Sequence, residues 1–285
     1  MEENLMYKYS INSISIAQTQ IMQTGDQKTG AQSLLPYKKI WFDDDEVEVP
    51  YISANSIRGK LRRKVIRSFC NSLDYTFEEP HVWHSFFGGG QLKSGSHQAF
   101  DAGLRRKITE LIPAISLWGM SYGNQAIQGK LIVCDMDVLC SEMKEYIIPA
   151  HKEYCKDSFH RFTSSLFFTR KDDNNDGSIK TEDEQAIQMK VEIQVLIPGT
   201  RFSHTFMIRD HPTDIEISCL HHALKIWNEM PFVGGKSATG YGQLQIKFSE
   251  DLDDSLYLGF LKEKKDKIIG FLDNLQEEYK KFSKK

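Results

Sequence analysis

Apolar residues return every fourth position at Ile57, Leu61, Val65 and Phe69, which is the spacing of one face of an α-helix. Val49-Pro50-Tyr51-Ile52 before it reads as the end of a strand, and Ser53 or Asn55 can cap a helix running to about Asn71. Elsewhere the period is two. Tyr7 to Ile16, YKYSINSISI, is apolar at Tyr7, Tyr9, Ile11 and then Ile14 and Ile16, so a half-buried strand with an irregularity near Asn12 is expected. Gly129 to Val138 reads as a strand with Leu131, Val133 and Met136 inward. Gln188 to Ile197 alternates through Met189, Val191, Ile193 and Val195, and after Pro198-Gly199-Thr200 a further strand covers Phe202 to Ile208. Helical spacing resumes at Ile215, Cys219, His222, Ile226 and Met230, predicting a helix over Asp214 to Met230, with the strand YGQLQIKF after it. Leu252 to Lys285 reads as one charged helix with Leu258, Leu261, Ile268, Ile269, Phe271, Leu272 and Leu275 on its apolar side.

The resulting order is strand, helix, strand, insertions, strand, strand, helix, strand. It predicts an α+β fold, a split β-α-β ferredoxin-like core with elaborations on its loops. One insertion runs from Asp74 to Leu111 around GGGQLKSGS and ends in a short helix, HQAFDAGLRRKITELI. The other lies within residues 141–188 and holds the strand-like FTSSLFFTR and the acidic KDDNNDGSIKTEDE.

A chain of 285 residues can bury a proper core, and its net charge of −3 gives no global nucleic-acid signal. Any such binding has to come from a local patch. The five cysteines, Cys70, Cys134, Cys140, Cys155 and Cys219, include no C-x-x-C pair and read as reduced thiols of a cytosolic protein. The acidic MEENLMYKYS reads as carrying no signal peptide, and no apolar run approaches the roughly 18 residues of a membrane span. A cytoplasmic protein without membrane contact is expected.

Two stretches carry candidate chemistry. Pro231 to Gly242, PFVGGKSATGYG, holds four glycines in twelve positions, so the backbone must turn tightly or approach something closely. Peptide N–H groups beside Lys236, Ser237 and Thr239 would make a seat for phosphate. A nucleotide P-loop is excluded, because Met230 stands where its first glycine is needed and the loop runs from helix into strand. The second stretch is the predicted helix itself, with Arg58, Lys60, Arg62, Arg63, Lys64 and Arg67 off its apolar stripe. They serve either as a solvated face or as phosphate contacts, Arg58 and Arg62 being one turn apart.

Metal and hydrolytic readings are weaker. Asp172, Asn174, Asp176, Gly177, Ile179 and Asp183 fall at EF-hand ligand spacing, but the flanks read as strands, and an exposed hairpin tip accounts for them more simply. Asp43 to Glu46 reads likewise as a solvated hairpin tip. His81 and His84 have zinc-like spacing without partners. His222 shares the apolar side of its helix and reads as a core histidine, and no nucleophile sits in a G-x-S-x-G elbow. No cofactor or metal is expected.

Three stretches together resemble the RAMP superfamily of CRISPR-associated proteins, specifically its backbone subunit. They are VPYISANSIRGKLRR, LWGMSYGNQAIQGKLIVCDM and PFVGGKSATGYGQLQI, and VEIQVLIPGTRF between them matches the family's strand, Pro-Gly-Thr and strand. The resemblance implies an RRM-like core over residues 1–250, a finger region at 74–111, a β-hairpin thumb at Phe162 to Gln188 and a C-terminal helix at 251–285. It further implies a subunit that holds guide RNA irrespective of sequence, lines up head to tail with copies of itself and other effector subunits, and presents the guide to target DNA or RNA. The RNA-binding positions would be Asn55, Ser56, Arg58, Lys60, Arg62 and Arg63 on the first helix, and Gly234, Gly235, Lys236, Ser237, Thr239 and Tyr241 on the glycine loop. Phe168 and Arg170 would lie on the thumb. RNA-cutting relatives carry Gly-x-Asp after the first strand, where this chain has Gly30-Ala31-Gln32. Glutamine cannot replace the carboxylate as base or metal ligand, so a non-catalytic subunit close to type IV or type I-D is expected. The alternatives are a ribonuclease using Asp26 or one of Asp43 to Asp45, and a calcium-binding or scaffolding protein without nucleic acid.

Overall fold

In a computed structural model of the chain, the described residues are 8–24, 28–29, 32–90, 102–122, 125–170 and 189–283. In chain order the first elements are β1 (Tyr9–Ala17), β2 (Lys28–Thr29), β3 (Gln32–Ser33), β4 (Tyr37–Phe42), β5 (Asp45–Ile52) and α1 (Ala54–Leu73). Then come α2 (Pro80–Gly88), α3 (Ala102–Leu111), α4 (Pro113–Trp118), β6 (Met120–Tyr122), β7 (Gln125–Ile127), β8 (Leu131–Val133) and β9 (Met136–Val138). The chain continues through β10 (Thr163–Arg170), β11 (Met189–Leu196), β12 (Arg201–Ile208), α5 (Asp214–Glu229), β13 (Leu244–Phe248), α6 (Ser255–Glu263) and α7 (Lys265–Ser283).

The main sheet runs β13-β1-β12-β9-β5-β4, with β8 also on β12, and these pairings are antiparallel. Taking β1, β8/β9, β12 and β13 as the four core strands gives the order 4-1-3-2 with α1 and α5 as the two crossovers. That is the ferredoxin-like arrangement expected from the sequence, extended on one side by the β4–β5 hairpin. The hairpin turns on Asp43 and Asp44, both at positive φ (48° and 63°), between the paired Phe42 and Asp45. A two-residue turn with both central residues left-handed is the type I′ turn that matches strand twist, and aspartate tolerates it. The acidic tip is therefore explained by its backbone.

The stripe of α1 is buried as its spacing predicts, with Ile57, Leu61, Val65 and Phe69 in the core beside Ile66 and Leu73. The helix stops where Asp74 turns left-handed (φ 53°). It packs on α5, which packs in turn on α4 and α6.

Four sequence expectations change. β1 holds a one-for-one register with β12 from Tyr9 to Ile16, so there is no irregularity at Asn12. The buried side is Ile11, Ser13, Ser15 and Ala17, while Ile14 and Ile16 fill the other, half-buried face. Gly129–Val138 is two short strands. β11 does not join the core sheet: it pairs with β10 from Thr163↔Leu196 to Arg170↔Met189 and, on its other side, with β3. The alternation in its sequence cannot say which sheet it joins, and in place both of its faces are covered in part, with residues 191–194 half-buried and Val195 and Leu196 buried. The return arm of the hairpin expected at Phe162 to Gln188 thus lies at Met189–Leu196. Finally, the C-terminal helix is broken into α6 and α7 at Lys264, where the run from Lys262 to Lys267 offers no apolar residue to bury through the junction. The calcium-like run from Asp172 to Asp183, with Gly30, Ala31 and Asp26, lies outside the described residues.

Candidate nucleic-acid interface

The glycine loop is held from both sides. Its turn needs positive φ at Gly234 (67°), Gly240 (85°) and Gly242 (84°), and Lys236 adopts 53° as well. Gly234 and Gly242 are also required by contact, since a Cβ would lie 2.2 Å from the Met22 carbonyl oxygen and 1.9 Å from that of Val233. Gly235 N–H donates to Met22 O at 2.7 Å, Gly242 N–H to Gln20 O at 2.8 Å, and Val233 N–H to Gly242 O at 2.9 Å. Much of the expected phosphate cradle is thereby spent on the protein's own carbonyls. What remains at the exposed tip is Lys236, Ser237 and Thr239, with the Ser237 and Ala238 N–H groups opening a single 3₁₀ turn.

From the other side comes Lys60 of α1. Its ammonium donates to Gly234 O at 2.8 Å and Phe232 O at 3.4 Å, and burial, with Arg63 second, pulls its pKa below the ordinary lysine value. The first helix and the glycine loop are thus in direct contact. A third element joins them: the Lys236 ammonium lies 3.9 Å from the ring centroid of Phe168 on β10, and Phe168 meets Tyr241 edge-on at 6.5 Å. α1, loop and hairpin therefore share one face, with Lys236 and Arg63 exposed on it and Ser56 half-buried one turn before Lys60. Asn55 is exposed inside the first turn of α1 and does not cap it. Ser53 is the N-cap, but the carboxylate accepting from Ala54 N–H, at 2.9 Å, belongs to Asp135 between β8 and β9. Arg170 ends β10 opposite Met189.

Arg58 and Arg62 are placed differently from the expectation that they face a strand of RNA. Arg58 donates to Leu131 O and, at 2.9 Å, to Trp118 O, while the Trp118 indole returns a bond to Arg58 O at 3.2 Å. Arg62 donates to the same Trp118 carbonyl and is only 9% exposed. Burial, followed by repulsion from Arg58, lowers Arg62 to about 10. Both guanidiniums pin α1 to the end of α4, where the chain turns at Gly119 (φ 70°) and leaves a buried carbonyl needing donors. They hold the fold.

One constellation has the shape of a hydrolase relay. Ser68 Oγ lies 2.8 Å from His222 Nε2, and His222 Nδ1 lies 2.8 Å from Asp254 Oδ2. Ser68, however, is in the interior of α1, where peptide N–H groups are spent within the helix and cannot form an oxyanion hole. Lys225 also binds Asp254, at 2.7 Å. The set ties α1, α5 and the start of α6 together, as expected of a core histidine. Among the described residues no group of three or more His, Cys, Asp or Glu could hold a metal, and no helix is long and apolar enough to cross a membrane.

With this geometry in view, comparisons with known proteins place the chain. No curated protein matches it significantly. A chain solved in a Type IV-B CRISPR Complex superposes with a TM-score of 0.61, covering 85% of this chain and 90% of that one at 20% identity, which is a likeness of fold. The sequence profile of the RAMP superfamily matches residues 42–245, a span that takes in α1, the β10–β11 pair and the glycine loop. By that match over most of its length, this chain belongs to the RAMP superfamily.

Proposed function

We propose that this chain is a backbone subunit of a CRISPR effector complex, which binds guide RNA along its sugar-phosphate backbone and lines up with further copies of itself on the guide. The observation carrying this reading is the convergence of α1, the glycine loop and β10 through Lys60–Gly234 and Lys236–Phe168. Exposed Lys236 and Arg63, the hydroxyls of Ser56, Ser237 and Thr239, and the Phe168 and Tyr241 rings suit a polymer of phosphates, riboses and stacked bases. A subunit that must accept any guide sequence needs such contacts in place of base readout. Family membership and the fold shared with a chain of a Type IV-B CRISPR Complex support the assignment to an effector.

The subunit acts in this reading as a scaffold without catalysis of its own, and Asp43 and Asp44 serve the type I′ turn. The test is co-expression with a guide RNA. Protein that retains RNA by its 260/280 nm absorbance and forms regular filaments by electron microscopy is expected; protein that purifies clean and monomeric overturns the reading. Incubating the complex with labelled complementary RNA and Mg²⁺ addresses the nuclease alternative, which predicts a ladder of evenly spaced cuts.

A further inference from the structure

α7 lies beyond the span that matches the family profile, and it buries the stripe Ile268, Leu272, Leu275 and Tyr279. Gln276 stands within that stripe and is only 6% exposed, so its amide needs partners inside the protein. It finds them in the segment that opens the insertion. Gln276 Oε1 accepts from the N–H groups of Glu78 and Glu79, both at 2.8 Å, and Nε2 donates to the Tyr75 hydroxyl oxygen at 2.7 Å. Tyr75 OH donates in turn to Asp273 Oδ1 at 2.9 Å, one turn back on α7. Burial, followed by that carboxylate, raises the Tyr75 pKa and keeps the proton in this bond. Lys280 pairs with Glu78 at 3.2 Å, and the Tyr279 ring lies 5.5 Å from that of His81.

Glu79 is the N-cap of α2, and Pro80 after it has no N–H. Gln276 therefore holds the N-cap amide and the one before it, which α2 cannot satisfy itself. α6 is anchored elsewhere. Tyr257 N–H donates to Ser218 Oγ of α5 at 3.1 Å, and Asp254 ahead of α6 is held by His222 and Lys225. The two C-terminal helices thus have separate anchors and meet at Lys264.

From the buried Gln276 amide, its backbone partners ahead of α2 and the separate anchoring of α6, we infer that α7 is a strap hinged at Lys264. It closes on the start of the insertion, and residues 75–81 open together with it while α1, α5 and α6 stay folded. With the strap away, two peptide N–H groups and the Tyr75 hydroxyl lose their partners and the apolar stripe meets water, so neither segment keeps its place alone. Closure fixes the direction in which α2 leaves the core and presents its exposed Trp83, stacked on Phe87 at 4.9 Å. The device does not depend on the RNA reading.

The test is native-state hydrogen exchange on the full chain, followed by mass spectrometry through a series of low urea concentrations. Peptides covering residues 75–81 and 265–280 are expected to exchange with one urea dependence, ahead of those from α1, α5 and α6. Gln276→Leu keeps helix and bulk but removes the amide, and should speed exchange in both segments at least about fivefold with α1 unchanged. Tyr75→Phe, which removes only a hydroxyl, should act on the same two segments to a smaller degree and guards against misfolding of the first variant. Exchange of residues 75–81 in step with α1, or acceleration limited to α7, overturns the strap. Equal acceleration in every element does the same.

Discussion

The Lys60 ammonium donates to the carbonyl oxygen of Gly234 at 2.8 Å, joining residues 174 positions apart in sequence. It spans the gap between the first helix and the glycine loop, so the two walls of the candidate interface are braced against each other. Replacing Lys60 with Met keeps the aliphatic stem and removes the brace. A stability loss of about 1.5–3 kcal/mol in urea denaturation is expected, with faster amide exchange confined to residues 232–242.

The glycines of the loop separate into two kinds. Gly242→Ala meets the Val233 carbonyl at 1.9 Å and should destabilise by more than about 3 kcal/mol, because backbone must move. Gly240→Ala meets nothing within 4 Å among the described residues and carries only the penalty of its left-handed φ, about 1–2 kcal/mol. Equal losses in denaturant titrations of the two variants would contradict the geometry.

Arginine and lysine variants should part company in the same way. Arg62→Met and Arg58→Met act on the fold, lowering the melting temperature through the Trp118 carbonyl they abandon. Lys236→Ala leaves the melting temperature nearly unchanged. It should weaken RNA binding alike for all sequences and reduce the slope of log K against log salt by about one. The check is a salt titration of RNA affinity beside thermal melts.

His204 gives a pH dependence. It is buried on β12 with Nε2 2.9 Å from Cys134 O, and burial pulls its pKa down to about 4. The unfolded chain takes up a proton near pH 6.5 that the native state refuses, so this contribution to stability is full above that pH and is lost as pH falls toward 4. Between pH 7.5 and pH 5 the unaltered protein should lose about 2 kcal/mol from this residue. His204→Gln, which cannot take up a proton, should lose correspondingly less in urea titrations at the two pH values.

The parts of the fold legible in the sequence were those whose partner is solvent on one side and core on the other. The α1 stripe announces itself that way; the core strands were legible in position, but β1 turns Ser13 and Ser15 to its buried side, and β12 is covered on both faces. The sheet to which β11 belongs was not legible, since alternation is the same in either. Of the interface, the glycine loop read correctly as a tight turn, but most of its N–H groups proved to be taken by Met22, Gln20 and its own turn. Arg58 and Arg62 looked like surface cations because their acceptor, Trp118 O, lies some 60 residues away in sequence. The helix α2 went unread inside a stretch that looked like irregular insertion. Its signal was local: Glu79 before Pro80, a cap and a proline at the first turn, with Val82 and Phe86 four apart. Gln276 and its partners Tyr75, Glu78 and Glu79 stand 197 to 201 positions apart, and only the fold assembles them.

Because the glycine loop is locked by Lys60 on one side and by Gln20 and Met22 on the other, its shape is settled when the protein folds. If RNA binds as proposed, the arriving strand would meet a rigid surface, and the ordering entropy would fall mainly on the RNA. Differences among interface variants should then surface in dissociation rates, with arrival rates nearly constant at fixed salt. The loop would set how long each subunit stays on its stretch of RNA, and hence whether an incomplete assembly lasts long enough to be completed.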